Sequence, residues 1–129
     1  MPSAEIEEFA RILVEEVRDR SVFSCDSQSQ PESNSPVAKR WRQHLTSEES
    51  LALARSMIPD CIDDVIFHLL NAIDSGALHL SFRASNGKAV DLTDEGAGEL
   101  AGWYMMSKEG WRAKYTEQRF SDDLEDLTG

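Results

Sequence analysis

The segment "DCIDDVIFHLLNAIDSG", residues 60–76, restricts the fold more than any other part of the chain. Ile62, Val65, Ile66, Leu69 and Ile73 recur at three- and four-residue spacing, and Phe67 and Leu70 widen the stripe. So broad an apolar face must be covered, which makes this segment the expected central helix of a core. Asp60 stands where an N-cap is favoured, and Gly76 where a helix closes. Pro59, immediately before it, disfavours helical geometry at Ile58 and has no N–H to offer. A separate helix is therefore expected in "TSEESLALARSMI", opened by a Thr46–Glu49 capping box and ending near Met57.

The flanking segments divide by period. "SAEIEEFARILVEEVRDR" predicts an amphipathic helix over 4–20, with Ile6, Phe9, Leu13 and Val17 on one stripe beside Ala10. Ser3 can cap it, and Glu5, Glu7 and Glu8 suit the positive end of its dipole. "SCDSQSQPESNSPVA", residues 24–38, reads as a flexible linker or loop. The first helix must then bury its stripe on its own chain, on a neighbouring copy or on a different protein, and it is the candidate element for a homodimer. From residue 78 the period becomes two. Leu78, Leu80 and Phe82 alternate with polar residues, Asn86-Gly87 is a hairpin turn signal, and Val90 and Leu92 continue on the return strand.

Thr93 is the expected cap of a helix reaching about 106, with Ala97, Leu100, Ala101 and Tyr104 on its stripe. "WRAKY", 111–115, alternates again as a third strand or an irregular segment, and "SDDLEDL" reads as a short terminal helix. The fold class that follows is α+β, mostly helical, a single domain over 1–129 with a central hairpin at about 78–92.

Charge narrows the partners. The chain carries 13 basic and 24 acidic residues, a net charge of −11. Such a surface repels phosphate backbones and anionic lipid, so nucleic-acid and membrane binding are disfavoured and a basic protein partner is favoured. The N-terminal "MPSAEIEEFARIL" lacks the basic start of a secretory signal, and no apolar run is long enough to span a bilayer. Cys25 and Cys61 are too few for a disulfide scaffold. The expectation is a soluble cytoplasmic protein of bacterial type.

Catalytic signatures are weak. "GAGELAG", 96–102, suggests a phosphate cradle, but its spacing is wrong and Asp91, Asp94, Glu95 and Glu99 would repel a pyrophosphate. Gly98 and Gly102 are read instead as points of close helix approach. No cofactor is called for. Cys61, Asp64 and His68 share one helix face at i, i+3 and i+7, a conceivable metal set that lacks a fourth ligand. The bland alternative is a solvated face on which Asp64 pairs with His68. A small metal-dependent hydrolase working through Asp60, Asp63, Asp64 and His68 is the enzymatic reading that this face allows, with Asp63, Asp64 and His68 in the acid–base roles.

"GWYMMSKEGWRAKY", 102–115, interleaves aromatics with cations, and residues 102–120 carry a local charge of +2. Core packing of Trp103, Tyr104 and Trp111 is the economical account, with cation stems covering the ring edges. An interface is the competing one, because Trp, Tyr and Arg are the usual anchors of interfaces. "KRWRQH", 39–44, repeats the combination. The candidate partner-binding residues are accordingly Trp41, Trp103, Trp111 and Arg112. A non-enzymatic protein-interaction or regulatory module is the expected function, like immunity or antidote proteins in composition alone.

Overall fold

The computed structural model describes residues 2–106 and 108–122. Its N-terminal helix shows how one irregular turn decides what is buried. Helix α1, Ala4–Ile12, is capped by Ser3, whose Oγ accepts from the Ile6 N–H, and it runs into a π-helical turn at Leu13–Arg18. There the Asp19 N–H reaches back five residues to the Val14 carbonyl, and α2, Asp19–Gln28, continues the helix. The wide turn delays the register by one residue, so Ile6, Ala10, Val14, Arg18 and Val22 face inward, all fully buried. Val17, expected on the stripe, is 47% exposed and Arg18 holds the inward place. The stripe is covered by the protein's own core, where Ile6, Ala10 and Val14 join Ile66, Leu70 and Ile73.

The segment expected as a linker is largely structured. Residues 24–28 belong to α2, and α3, Pro36–Arg42, begins at residue 36 with Ser35 as its cap. Only residues 29–35 form a connecting loop, and Arg42 Nη1 ties it down by donating to the carbonyls of Ser33 at 2.5 Å and Pro31 at 3.1 Å.

Helix α4, Glu48–Asp74, is 27 residues long and continues through Pro59, correcting the expected break. Its cap is Ser47, paired with Ser50, rather than Thr46 with Glu49, and Asp60 lies inside the helix. Proline deprives the Arg55 carbonyl of its usual intrahelical donor. The Arg119 guanidinium supplies the replacement, with Nη2 at 2.7 Å and Nε at 3.2 Å from that oxygen. The inward positions are Pro59, Asp63, Ile66, Leu70 and Ile73, while Val65 is 68% exposed. Gly76 closes the helix at φ +80°, as its position suggested.

The hairpin is shorter than expected. Strand β1, Ser81–Arg83, pairs antiparallel with β2, Ala89–Asp91, in a register that sets Phe82 opposite Val90. Phe82 packs edge-on against Phe9 of α1, ring centres 5.7 Å apart. The helix expected from Thr93 is two helices, α5 at Leu92–Gly96 and α6 at Leu100–Met105, separated where Ala97 takes φ +50°. Asp91 caps α5 in place of Thr93, whose hydroxyl donates to the Ile73 carbonyl at 3.0 Å. Residues 111–115 are not a strand but helix α7, Trp111–Tyr115.

The glycines at close approaches are Gly96 and Gly110, not Gly98 and Gly102. A Cβ on Gly110 would lie 2.3 Å from the Met106 carbonyl oxygen, and one on Gly102 would meet nothing within 4 Å. The terminal helix expected in "SDDLEDL" falls, from residue 123, outside the described residues. The architecture is α+β and mostly helical, and among the described residues no helix is long and apolar enough to cross a membrane.

Candidate functional site

The inward turn of Arg18 brings a cation into the protein interior, and the surrounding elements are arranged to satisfy it. Its five N–H groups all have acceptors. Nε donates to Asp63 Oδ1 at 2.7 Å, and Nη2 to Asp63 Oδ2 at 3.2 Å and the Arg119 carbonyl at 2.9 Å. Nη1 donates to Asp19 at 3.1 Å and to Thr116 Oγ1 at 3.0 Å. Asp63 is equally committed, because Tyr104 donates to Oδ1 and Arg112 Nη1 to Oδ2 at 3.0 Å. Burial disfavours the charge on Arg18, but the Asp63 hydrogen bonds and charge outweigh it and hold the guanidinium above its ordinary pKa. Burial, and then the Asp63 charge, push the Tyr104 phenol far above its usual range. Arg112 is 4% exposed, lies 4.5 Å from the centre of the Phe120 ring and has an Nε without a hydrogen-bond partner among the described residues. A carboxylate that accepts four hydrogen bonds from three partners is a structural hub, with no lone pair left over for a substrate proton.

The residues of the hydrolase reading are consequently separated in role. Asp60, Asp63 and Asp64 line an open cavity of about 330 Å³ with Phe67, Met105 and Arg112, but Asp63 is locked in the hub. Asp64 and His68 form an exposed pair at 3.5 Å, the arrangement expected of a solvated face. Cys61 points into a different cavity. Among the described residues no three His, Cys, Asp or Glu side chains stand close enough to hold a metal ion.

The aromatic stretch packs inward. Trp111 is 2% exposed and donates from Nε1 to Glu7 at 3.3 Å; Tyr115 donates to the same carboxylate, with Lys114 Nζ at 3.4 Å. Burial raises Glu7, yet these three donors outweigh it and hold its carboxyl below the ordinary range. Trp103 is partly buried against Trp111, ring centres 5.6 Å apart. Trp111 and Arg112 therefore leave the set of surface anchors: one holds α7 to α1, the other belongs to the hub. The phosphate-cradle segment is likewise used internally, since the Asp74 carboxylate accepts the Leu100 and Ala101 N–H groups, each at 3.0 Å.

Trp41 is placed differently. With Cys25, His44, Leu45, Ala54, Met57, Ile58, Cys61 and Ile62 it lines an apolar groove of about 390 Å³ between α2, α3 and the first half of α4. Met57 is 49% exposed along this groove. Its walls are held by ties outside the groove: Arg119 bridges Asp26 of α2, at 2.7 and 2.8 Å, to the Arg55 carbonyl of α4. The Arg119 bonds draw Asp26 below the ordinary carboxylate range against the effect of burial. Sequence reasoning found Trp41 but not the groove, because one wall was assigned to a linker and the other appeared to break at Pro59. The available signal was the row Leu51, Leu53, Ala54, Met57 and Ile58, which has more apolar positions than one buried face requires. No protein-family model matches the chain, and neither curated proteins nor solved structures provide a match.

Proposed function

We propose that the protein is a binding module without chemistry of its own, which takes an apolar element of a protein partner into the groove between α2, α3 and α4. The observation that carries this reading is the groove itself: about 390 Å³, walled by Trp41, Met57, Ile58 and Ile62. Its volume and apolar lining suit an inserted hydrophobic side-chain row of the kind that helix-in-groove recognition uses. Trp41 is the anchor, since large aromatic residues contribute most where they are desolvated on binding. Of the groups that could do chemistry, Asp63 is consumed by internal pairing, and the Asp64–His68 pair stands exposed, with no third ligand-type side chain grouped with it among the described residues. No observation favours the hydrolase reading over this one.

The test is a comparison of baits. Wild-type protein, Trp41→Ala, Met57→Asp and, as a control on a separate exposed apolar site, Val65→Asp are used for affinity capture from the same lysate. A partner held by wild type and Val65→Asp, and weakened about tenfold or more by the two groove variants, supports the proposal. A partner held equally by all four proteins overturns it.

A further inference from the structure

We infer that the cavity beside the hub binds a free α-amino acid with an apolar side chain, at a site independent of the groove. The cavity, about 330 Å³, shares no lining residue with the groove. Of its walls, Asp63 and Arg112 are buried, Phe67 and Met105 half-buried, and Asp60, Asp64 and Ser121 exposed. At the buried end the ion pairing is incomplete. Arg18 and Arg112 share the Asp63 carboxylate, and among the described residues only Arg18 has a second acid, Asp19. Nη1 is likewise the one nitrogen of Arg112 with an acceptor there, and Nε is buried without one. Nε and Nη2 together form the guanidinium edge that takes a carboxylate through two parallel hydrogen bonds. The Phe120 ring, with its centre 4.5 Å from the guanidinium carbon, fixes the plane of that edge. A ligand carboxylate placed there satisfies Nε and supplies the second negative charge. Nε is covered by its neighbours, so a wall side chain must move to admit the ligand, and Met105, unbranched and half-buried, is the one suited to do so.

The exposed end calls for the opposite charge. Asp60 and Asp64 are one turn apart on α4, on either side of Asp63, and both line this cavity. Asp64 meets His68 at 3.5 Å in an exposed pair, which leaves its carboxylate open to a further donor. A simple anion would be repelled by these two carboxylates, and a simple cation would leave Arg112 Nε without an acceptor. A zwitterion satisfies both ends, with its carboxylate inward on Arg112 and its ammonium outward toward Asp60 and Asp64. Phe67 and Met105, between the two ends in burial, offer the ligand's side chain an aromatic ring and a thioether. At about 330 Å³ the cavity lies at the small end of ligand sites, with room for one amino acid.

The test uses the full chain with phenylalanine and leucine, and with two analogues of phenylalanine: phenylalaninol, which lacks the carboxylate, and hydrocinnamate, which lacks the ammonium. Binding is measured by calorimetry and by the NMR signal of the Arg112 Nε–H. At least one of the two amino acids should bind with a Kd of about 1 mM or tighter, shift that signal and slow its exchange with water. Each analogue should bind about tenfold or more weakly than phenylalanine. The double variant Asp60→Asn/Asp64→Asn, at exposed positions outside the hub, should weaken the amino acids by a similar factor and leave hydrocinnamate no weaker. Absence of binding by both amino acids at about 10 mM overturns the inference. Equal affinity for phenylalanine and either analogue, or amino-acid binding untouched by the double variant, overturns it as well. So does binding that shifts the Trp41 indole signal and leaves the Arg112 Nε–H unmoved, because the probe then sits in the groove.

Discussion

Asp63 is the residue on which the interior most depends. It is 3% exposed, and its two oxygens receive Arg18, Arg112 and Tyr104. Replacing one partner of a buried ion pair leaves the other charge without compensation, which costs more than the pair itself contributes. Asp63→Ala should therefore destabilise the protein by about 3–5 kcal/mol in urea unfolding. Tyr104→Phe removes one hydrogen bond to a charged acceptor and should cost about 1.5–3 kcal/mol. A smaller loss for Asp63→Ala than for Tyr104→Phe would contradict the hub. The sequence showed Asp63 only as one of several acids on a polar face, because nothing local distinguishes an aspartate that will meet two arginines from distant segments. Asp64, one residue later, matched its expected pairing with His68, since that contact is local to a single helix.

Two devices act at the level of elements. The π-helical turn exchanges Val17 for Arg18 at the inward position, so valines three residues apart should respond differently to truncation. Val14→Ala, at a fully buried site, should cost about 1–3 kcal/mol, and Val17→Ala no more than about 0.5 kcal/mol. The helical stripe read from the sequence assumed 3.6 residues per turn, placed Val17 inward and left Val14 off the stripe, and would predict the larger loss at Val17. The second device is the repair of α4 at Pro59 by Arg119. Arg119→Ala should destabilise α4, but less so when Pro59→Ala has restored an N–H for the Arg55 carbonyl. A double-mutant cycle should show coupling of about 0.5–3 kcal/mol, and strict additivity would refute the repair. The expectation that Pro59 ends a helix was sound for an isolated segment. It failed because a donor sixty-four positions away completes the backbone hydrogen bonding.

The whole molecule is braced by carboxylates between segments, which gives its stability a direction with pH. Glu7 joins α1 to α7, and Asp26 joins α2 to the segment after α7; both are held below their ordinary pKa in the folded state. A depressed folded pKa contributes stability that is present above the unfolded value of about 4 and lost as pH falls through the folded value. Tyr104 and Tyr115 are shifted upward, so their contribution is full below about pH 10 and lost as pH rises beyond it. Thermal unfolding should thus show a broad plateau around neutral pH with an acid and an alkaline limb. Glu7→Gln should flatten the acid limb, and Tyr104→Phe the alkaline one. Acid limbs of identical slope in wild type and Glu7→Gln would remove Glu7 from this account.

Periodicity and turn chemistry alone determined the mostly helical α+β class, the core segment around Ile66, Leu70 and Ile73, the Asn86-Gly87 turn and the Gly76 stop. Each depends on neighbours within a few residues, where the chain's own spacing settles the matter. Tertiary structure decided the rest: helix in place of a linker at 24–28, continuity through Pro59, the inward turn of Arg18, and helix rather than strand at 111–115. It also placed Trp111 inside and Trp41 on a groove, although both sit beside an arginine in sequence. The physical reason is common to all of these. A buried charge, an incomplete helical backbone or an apolar wall takes its final place only when partners from far along the chain supply the missing hydrogen bonds and contacts.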